Sequence, residues 1–153
     1  MYAPFVRDTA VSFETTPPTA AEMAARITSA PAWFVAVADE QVVGYAYATG
    51  HRERAAYRWA CEVSVYVDPT AQRRGVGRAL YAALFDRLVE RGFVTALAGI
   101  ALPNDASVGL HRSLGFTDVG VYRDIGHKLG AWHDVLWLQR RLRPLPDAPE
   151  IPS

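Results

Sequence analysis

The run Gln72-Arg73-Arg74-Gly75-Val76-Gly77 lies between an alternating apolar stretch and a stretch with helical periodicity. Glycines let backbone N–H groups approach a ligand, because no side chain stands in the way. The first N–H groups of a following helix have no partner inside it, and the helix dipole favours an anion there. Such a junction can seat a phosphate or pyrophosphate. Arg73, Arg74 and Arg78 add positive charge around it. The plainer reading is a tight strand-to-helix turn with a solvated basic face, and two glycines alone do not separate the two. Just before this loop, WACEVSVYV alternates as a strand does. Alternation puts Ala60, Glu62, Ser64 and Tyr66 on one face and Cys61, Val63, Val65 and Val67 on the other. Glu62 is a carboxylate able to accept a proton, and it shares its face with Ser64 beside the glycine loop.

Other chemistries are demoted by the same inspection. A Walker loop needs G-x-x-x-x-G-K-[ST], and the chain has no such string. A dinucleotide fingerprint needs a third small residue where Leu80 stands, and an acidic residue near position 95 that is missing. The single cysteine excludes an internal disulfide and a multi-cysteine metal site. Cys61 invites an acyl-cysteine intermediate, but alternation sets it opposite Glu62, as a small core residue; a bulge in the strand would exchange the faces. The four histidines show no metal-ligand spacing, so no metal is expected. Arg52, Arg54 and Arg58 read most simply as a solvated loop, although an acidic acceptor would give one of them a partner. His127, Lys128, Trp132 and His133 fit equally a cleft wall or the packing of a hairpin end.

The elements that must position these groups follow from pattern. Residues 11–14 (VSFE) suggest a strand, and Thr16-Pro17-Pro18-Thr19 breaks the chain. Thr19 and Glu22 have capping-box spacing, so a helix is expected from there to about Ser29, before Pro31. Strands are expected over 33–38 and 42–48, joined tightly by Asp39-Glu40-Gln41, then over 59–67. Leu80, Leu84 and Leu88 with Tyr81 and Phe85 form the apolar stripe of a helix that Gly92 ends. Residues 93–102 are a nearly unbroken apolar strand, as in a sheet covered on both faces. A short helix is expected over 106–113, then strands over 117–123 and 133–141 separated by a glycine-rich loop, IGHKLGAW. Residues 144–153 are a proline-rich tail, expected to be extended and loose, so the domain spans 1–143.

Composition sets the class. The chain has 153 residues, half apolar and 21% charged, which suits one globular domain with its own core. Lys plus Arg and Asp plus Glu are both 16, and zero net charge speaks against a nucleic-acid partner. No apolar run approaches bilayer length, and the first residues lack signal-peptide features. A cytoplasmic protein without a membrane partner is expected.

Four segments resemble a known family. Gln72 to Gly77 has the Q/R-x-x-G-x-G/A form of the GNAT N-acetyltransferases, and it follows the strand VSVYV as that motif does. LPNDASVGLHRSLGF, from Leu102 to Phe116, resembles the family's next motif. With CEVSVYV and GAWHDVLWLQRRL, the likeness extends to the phosphinothricin and methionine-sulfone N-acetyltransferases and runs from about Tyr2 to Arg143.

That resemblance implies an α/β domain of α+β type: a mixed, mostly antiparallel twisted sheet with helices on both faces. One parallel pair, residues 59–67 with 93–102, should splay to admit acetyl-CoA. Val65, Tyr66 and Val67 should pair with its pantetheine arm. The loop from Arg73 through Arg74, Gly75, Val76 and Gly77 to Arg78 should hold its pyrophosphate, and Asn104 should touch it. Glu62 falls where the subfamily has a proposed general base. His111 falls where a group near the leaving sulfur stands. Arg54, Tyr57, Ser64 and Phe13 fall at acceptor positions. An α-amine is mostly protonated at neutral pH, so Glu62 would take its proton, directly or through water, before attack on the thioester. The backbone at Val65 to Val67 is a candidate donor to the oxyanion, and His111 to the departing thiolate. The implied activity is acetyl transfer to the α-amine of a small amino-acid analogue. Alternatives are another primary amine, such as a polyamine or a protein N-terminus, and a non-catalytic acyl-CoA-binding module. The family often forms homodimers, and Val135 to Leu138 would suit that contact. Family members also carry a strand and helix before the region matching Tyr2, about twenty residues by usual element lengths. The expectation is a longer native protein in which Met1 is internal or a late start, with a natural truncation as the alternative.

Overall fold

A computed structural model describes residues 1–153. Six strands form one sheet in the order β1-β2-β3-β4-β6-β5. β1 (Ala32–Ala38) and β2 (Gln41–Gly50) make an antiparallel hairpin. Its turn residues Asp39 and Glu40 have φ of 48° and 61°, the left-handed pair that matches the twist of the flanking strands. β3 (Ala60–Val67) pairs antiparallel with β2 and parallel with β4 (Thr95–Ala101). The parallel ladder covers only Ala60–Thr95, Cys61–Ala96 and Glu62–Leu97, and beyond Glu62 the two strands part.

Parallel neighbours need a crossover, and α3 (Val76–Glu90) supplies it. Its expected stripe, Leu80, Tyr81, Leu84, Phe85 and Leu88, is buried. The stripe belongs to the same core cluster as Ala46, Ala48, Cys61 and Val63 of the sheet. Gly44 sets how closely α3 approaches β2: a Cβ there would stand 3.0 Å from the Tyr66 carbonyl and 3.2 Å from Leu80 Cδ1. α4 (Asp105–Ser113) follows β4 and brings His111 against Tyr81 on the α3 face. On the other face, the ring centroids of Tyr2 and Phe5 lie 5.0 Å and 5.3 Å from that of Tyr66. α2 (Ala20–Ser29) begins with the expected capping box: Glu22 N–H donates to Thr19 Oγ1 and Thr19 N–H to Glu22 Oε2.

One element is added to the expected set and three expectations are corrected. Residues 3–8 form a short helix, α1 (Ala3–Asp8), with proline in its first turn where no N–H is needed. Residues 11–14 are an irregular strap and not a strand. Their backbone is served by side chains: Val11 N–H donates to Thr9 Oγ1 and Glu14 N–H to Ser12 Oγ. The glycine-rich segment is not a loop. β5 (Thr117–Lys128) and β6 (Ala131–Arg141) run through it and join at Leu129-Gly130, with φ of 52° and 76°. The tail is extended but docked: Trp59 Nε1 donates to the Glu150 carbonyl at 2.7 Å and Ser153 N–H to the Arg91 carbonyl at 3.1 Å. No helix is long and apolar enough to cross a membrane.

Candidate active site

The parting of β3 and β4 is the origin of the site. Val65, Tyr66 and Val67 pair through one backbone edge with Ala46, Tyr45 and Gly44 of β2. Their other edge, toward β4, has no strand partner. A narrow pocket of about 40 Å³ lies in the gap, lined by Val65, Tyr66, Ile100, Asn104, Ser107 and His111 among others. Asn104 caps α4, its Oδ1 accepting from Ser107 N–H at 3.2 Å. Near the end of β3, Gly75 takes the left-handed conformation (φ 79°) that starts α3. The first helical bond is Ala79 N–H to the Gly75 carbonyl, so the amides of Val76, Gly77 and Arg78 precede the helical ladder. Arg73 and Arg74 are exposed beside them, and Arg78 reaches across to Ser113 Oγ at 2.8 Å, tying α3 to α4.

On the opposite face a larger cleft, about 590 Å³, meets this pocket along Ser64, Tyr66 and Gly99. Glu62 and Ser64 both line it, as alternation requires. The β2–β3 register runs without a bulge, so Cys61 stays on the far side, fully buried. Burial, and then the charge of Glu62, pushes its thiol up to about 12, which disfavours the thiolate an acyl-cysteine step needs. Phe13 lines the cleft from the strap. Its ring lies so close to Gly126 that a Cβ there would overlap it. The strap is pinned by Lys128, whose Nζ donates to the Ser12 carbonyl at 2.5 Å. His133 Nε2 donates to the Lys128 carbonyl at 2.9 Å, and Trp132 is exposed. That quartet therefore packs the hairpin end, and none of its members lines the cleft.

Glu62 is not alone. Its Oε1 lies 2.8 Å from Nδ1 of His51, the residue just past β2. Sequence reading did not single out His51, because its approach depends on the register that sets Thr49 opposite Glu62. Tyr2, Glu14, Tyr47 and Trp137 are further lining residues that carried no sequence signal. Arg54 and Tyr57 lie beside the cleft rather than in its lining. Both are exposed on the loop after β2 and outside the cleft wall; Tyr57 meets the His51 ring edge-on at 5.6 Å.

His111 is buried and bonded at both ring nitrogens. The Ser107 carbonyl, 2.7 Å from Nδ1, can only accept, so Nδ1 carries the hydrogen. Nε2 then accepts from the Tyr81 hydroxyl at 2.9 Å. Neither nitrogen offers a free N–H to the gap, which weighs against direct proton donation to a thiolate. Burial holds the imidazole pKa below its ordinary value, and the Ser107 bond only partly offsets this. Unfolding under mildly acidic conditions therefore takes up a proton. The stability from a neutral buried His111 is complete above 6.5 and drains away as pH falls from there toward the lowered value. Thermal melts between about pH 8 and about pH 5 should show that loss, and His111→Gln should flatten it. Equal slopes for both proteins would refute the assignment.

The comparisons with known proteins agree with this geometry. The model of the acetyltransferase (GNAT) family matches residues 3–116. This chain belongs to the GNAT acetyltransferase family. It is similar to the phosphinothricin N-acetyltransferase of Streptomyces coelicolor, at 40% identity over 93% of this chain and 87% of that one. The L-methionine sulfoximine/L-methionine sulfone acetyltransferase of Salmonella typhimurium is 39% identical over 70% of this chain and 64% of its own length. Among solved structures, a phosphinothricin acetyltransferase from Sinorhizobium meliloti in complex with acetyl-CoA superposes with a TM-score of 0.87. It is 37% identical and covers 92% of this chain and 78% of that one. The chain is thus an N-acetyltransferase, and the splayed strands, glycine loop and carboxylate cleft belong to a GNAT domain.

Proposed function

We propose that this acetyltransferase moves the acetyl group of acetyl-CoA onto the α-amine of a small amino-acid analogue of the phosphinothricin or methionine-sulfone type, by direct transfer in a ternary complex. The observation that carries the proposal is the meeting of two cavities at one stretch of β3, with Glu62 in the wall of the wider one. The Sinorhizobium relative is in complex with acetyl-CoA, which supports acetyl-CoA as the donor, and the narrow gap is the cofactor side in this proposal. The free backbone edge of Val65 to Val67 suits the pantetheine amides, and it is also a candidate for the oxyanion. The amides and charges from Arg73 to Arg78 suit the pyrophosphate. Asn104 sits in the wall of the same gap.

In the wider cleft Glu62 takes the ammonium proton, and Ser64 and Phe13 border the acceptor. Arg54 and Tyr57, on the exposed loop beside His51, are the groups to meet the acidic end of such a substrate. The two bonds of His111 favour a role in holding Tyr81 and α4 in the wall over the general-acid role. A homodimer contact is better placed on the β5–β6 hairpin than on residues 135–138, because Leu136 and Leu138 point into the core. Val119, Ile125, Leu129 and Trp132 are the exposed apolar residues there.

A second reading, another primary amine as acceptor, is favoured by one observation. The charged residues lining the cleft are Glu14 and Glu62, both acidic. Thiol release from acetyl-CoA with methionine sulfone, methionine sulfoximine, phosphinothricin, common amino acids and spermidine separates the two. Strong turnover on the sulfone or phosphinate compounds is the expected result. Turnover confined to other amines would replace the acceptor. Acetyl-CoA binding without turnover on any of them would mark a non-catalytic module.

A further inference from the structure

We propose that His51 is the positioning residue for Glu62: it holds Oε1 so that Oε2 is the oxygen that takes the acceptor's proton. The inference rests on the reading of Glu62 as the base. A carboxylate has two equivalent oxygens and rotates freely unless something fixes it. Here a single donor does so, with Nδ1 of His51 at 2.8 Å from Oε1. A carboxylate only accepts, so Nδ1 carries the hydrogen whether the ring is neutral or charged. The side chains are 16% and 34% exposed, which shields the bond more than an open surface pair.

The ring itself is held. It follows directly from the last β2–β3 rung, Gly50–Cys61, and Tyr57 packs against it at an interplanar angle of 77°. His51 also lines a third cavity of about 350 Å³, which shares Tyr122 and Trp137 with the cleft. The hydrogen bonds of the structure engage only Nδ1 of this ring, so its one protein bond goes to the candidate base.

The proton accounting is simple. The ammonium N–H bond breaks, its electron pair stays on nitrogen, and the proton passes to Oε2. Glu62 becomes a neutral acid, and His51 keeps its Nδ1 hydrogen throughout. The free amine then has the lone pair that attacks the thioester.

Two substitutions separate the hydrogen bond from the shape of the ring. His51→Phe keeps a ring against Tyr57 and removes the donor. His51→Gln keeps an N–H donor and removes the ring. In His51→Phe, kcat should fall about tenfold to a hundredfold, the scale of a misplaced reacting group, with the KM for acetyl-CoA unchanged. His51→Gln should recover all but a few-fold of that loss. Wild-type kcat in His51→Phe, or an equal loss in both variants, would overturn the proposal. A readout without turnover keeps it separate from the functional reading. Nitrogen-15 spectra of the unliganded wild-type protein should show Nδ1 of His51 protonated. A ring protonated at Nε2 alone would overturn the proposal even in a fully active enzyme.

Discussion

Glu62→Gln is expected to lower kcat by about 10²–10⁴-fold, the range for loss of a positioned general base. The amide keeps the size of the side chain and an oxygen for the His51 hydrogen, so the cleft wall should stand. What disappears is the only function the carboxylate has in the reaction, accepting a proton. The KM for acetyl-CoA should stay within about twofold, because Glu62 is not in the lining of the gap proposed for the cofactor. The loss should shrink as pH rises toward the acceptor's own ammonium pKa, where the amine arrives already deprotonated. Turnover by Glu62→Gln within about threefold of wild type at neutral pH would remove Glu62 from the mechanism. Cys61 does not provide a fallback nucleophile, since its thiol is buried in the core on the far face.

Leu84→Ala is expected to destabilise the fold by about 2–5 kcal/mol, the transfer and cavity cost of truncating a buried leucine. Leu84 is fully buried midway along the α3 stripe, and it belongs to the same core cluster as Leu88, Tyr81 and the inner face of the sheet. α3 carries the glycine loop at its first turn and crosses over between β3 and β4, so no other element can take up the slack. A melting temperature lower by roughly 5–15 °C follows for a domain of this size. A calorimetric shift below about 2 °C would mean that the core relaxes into the space. Turnover per folded molecule should be nearly kept at low temperature, because the removed methyl groups touch neither cavity wall.

Much of the site could be read from the chain because its parts are local. The two-residue period of β3 separates Glu62 and Ser64 from Cys61 in the sequence, and the unbroken β2–β3 register keeps that separation. The glycine loop, the Thr19 cap and the leucine stripe are likewise patterns within one turn or one element. The missing pieces are matters of register and distance. His51 meets Glu62 only because β2 and β3 pair at one offset, and no loop chemistry between residues 50 and 60 announces that offset. Tyr81 and His111 bond across 30 positions of sequence, between helices whose packing is set by the whole core. Gly126 and Gly130 looked like loop residues, yet one closes a two-residue turn and the other leaves room for Phe13. Arg54 and Tyr57 rest on family position alone, and both stand on an exposed loop beside the cleft rather than in its wall.

The three rungs between β3 and β4 also bear on the cohesion of the molecule. The sheet is two three-stranded ribbons, β1-β2-β3 and β4-β6-β5, sewn together by a short seam at one end. Beyond that seam the ribbons part, and a molecule bonded along the free edge of Val65 to Val67 would supply rungs that the sheet lacks there. A pantetheine arm bound there would be, in that sense, a temporary seventh strand. Each catalytic cycle would then lace the ribbons together and unlace them again, so the sheet's own continuity rises and falls with occupancy.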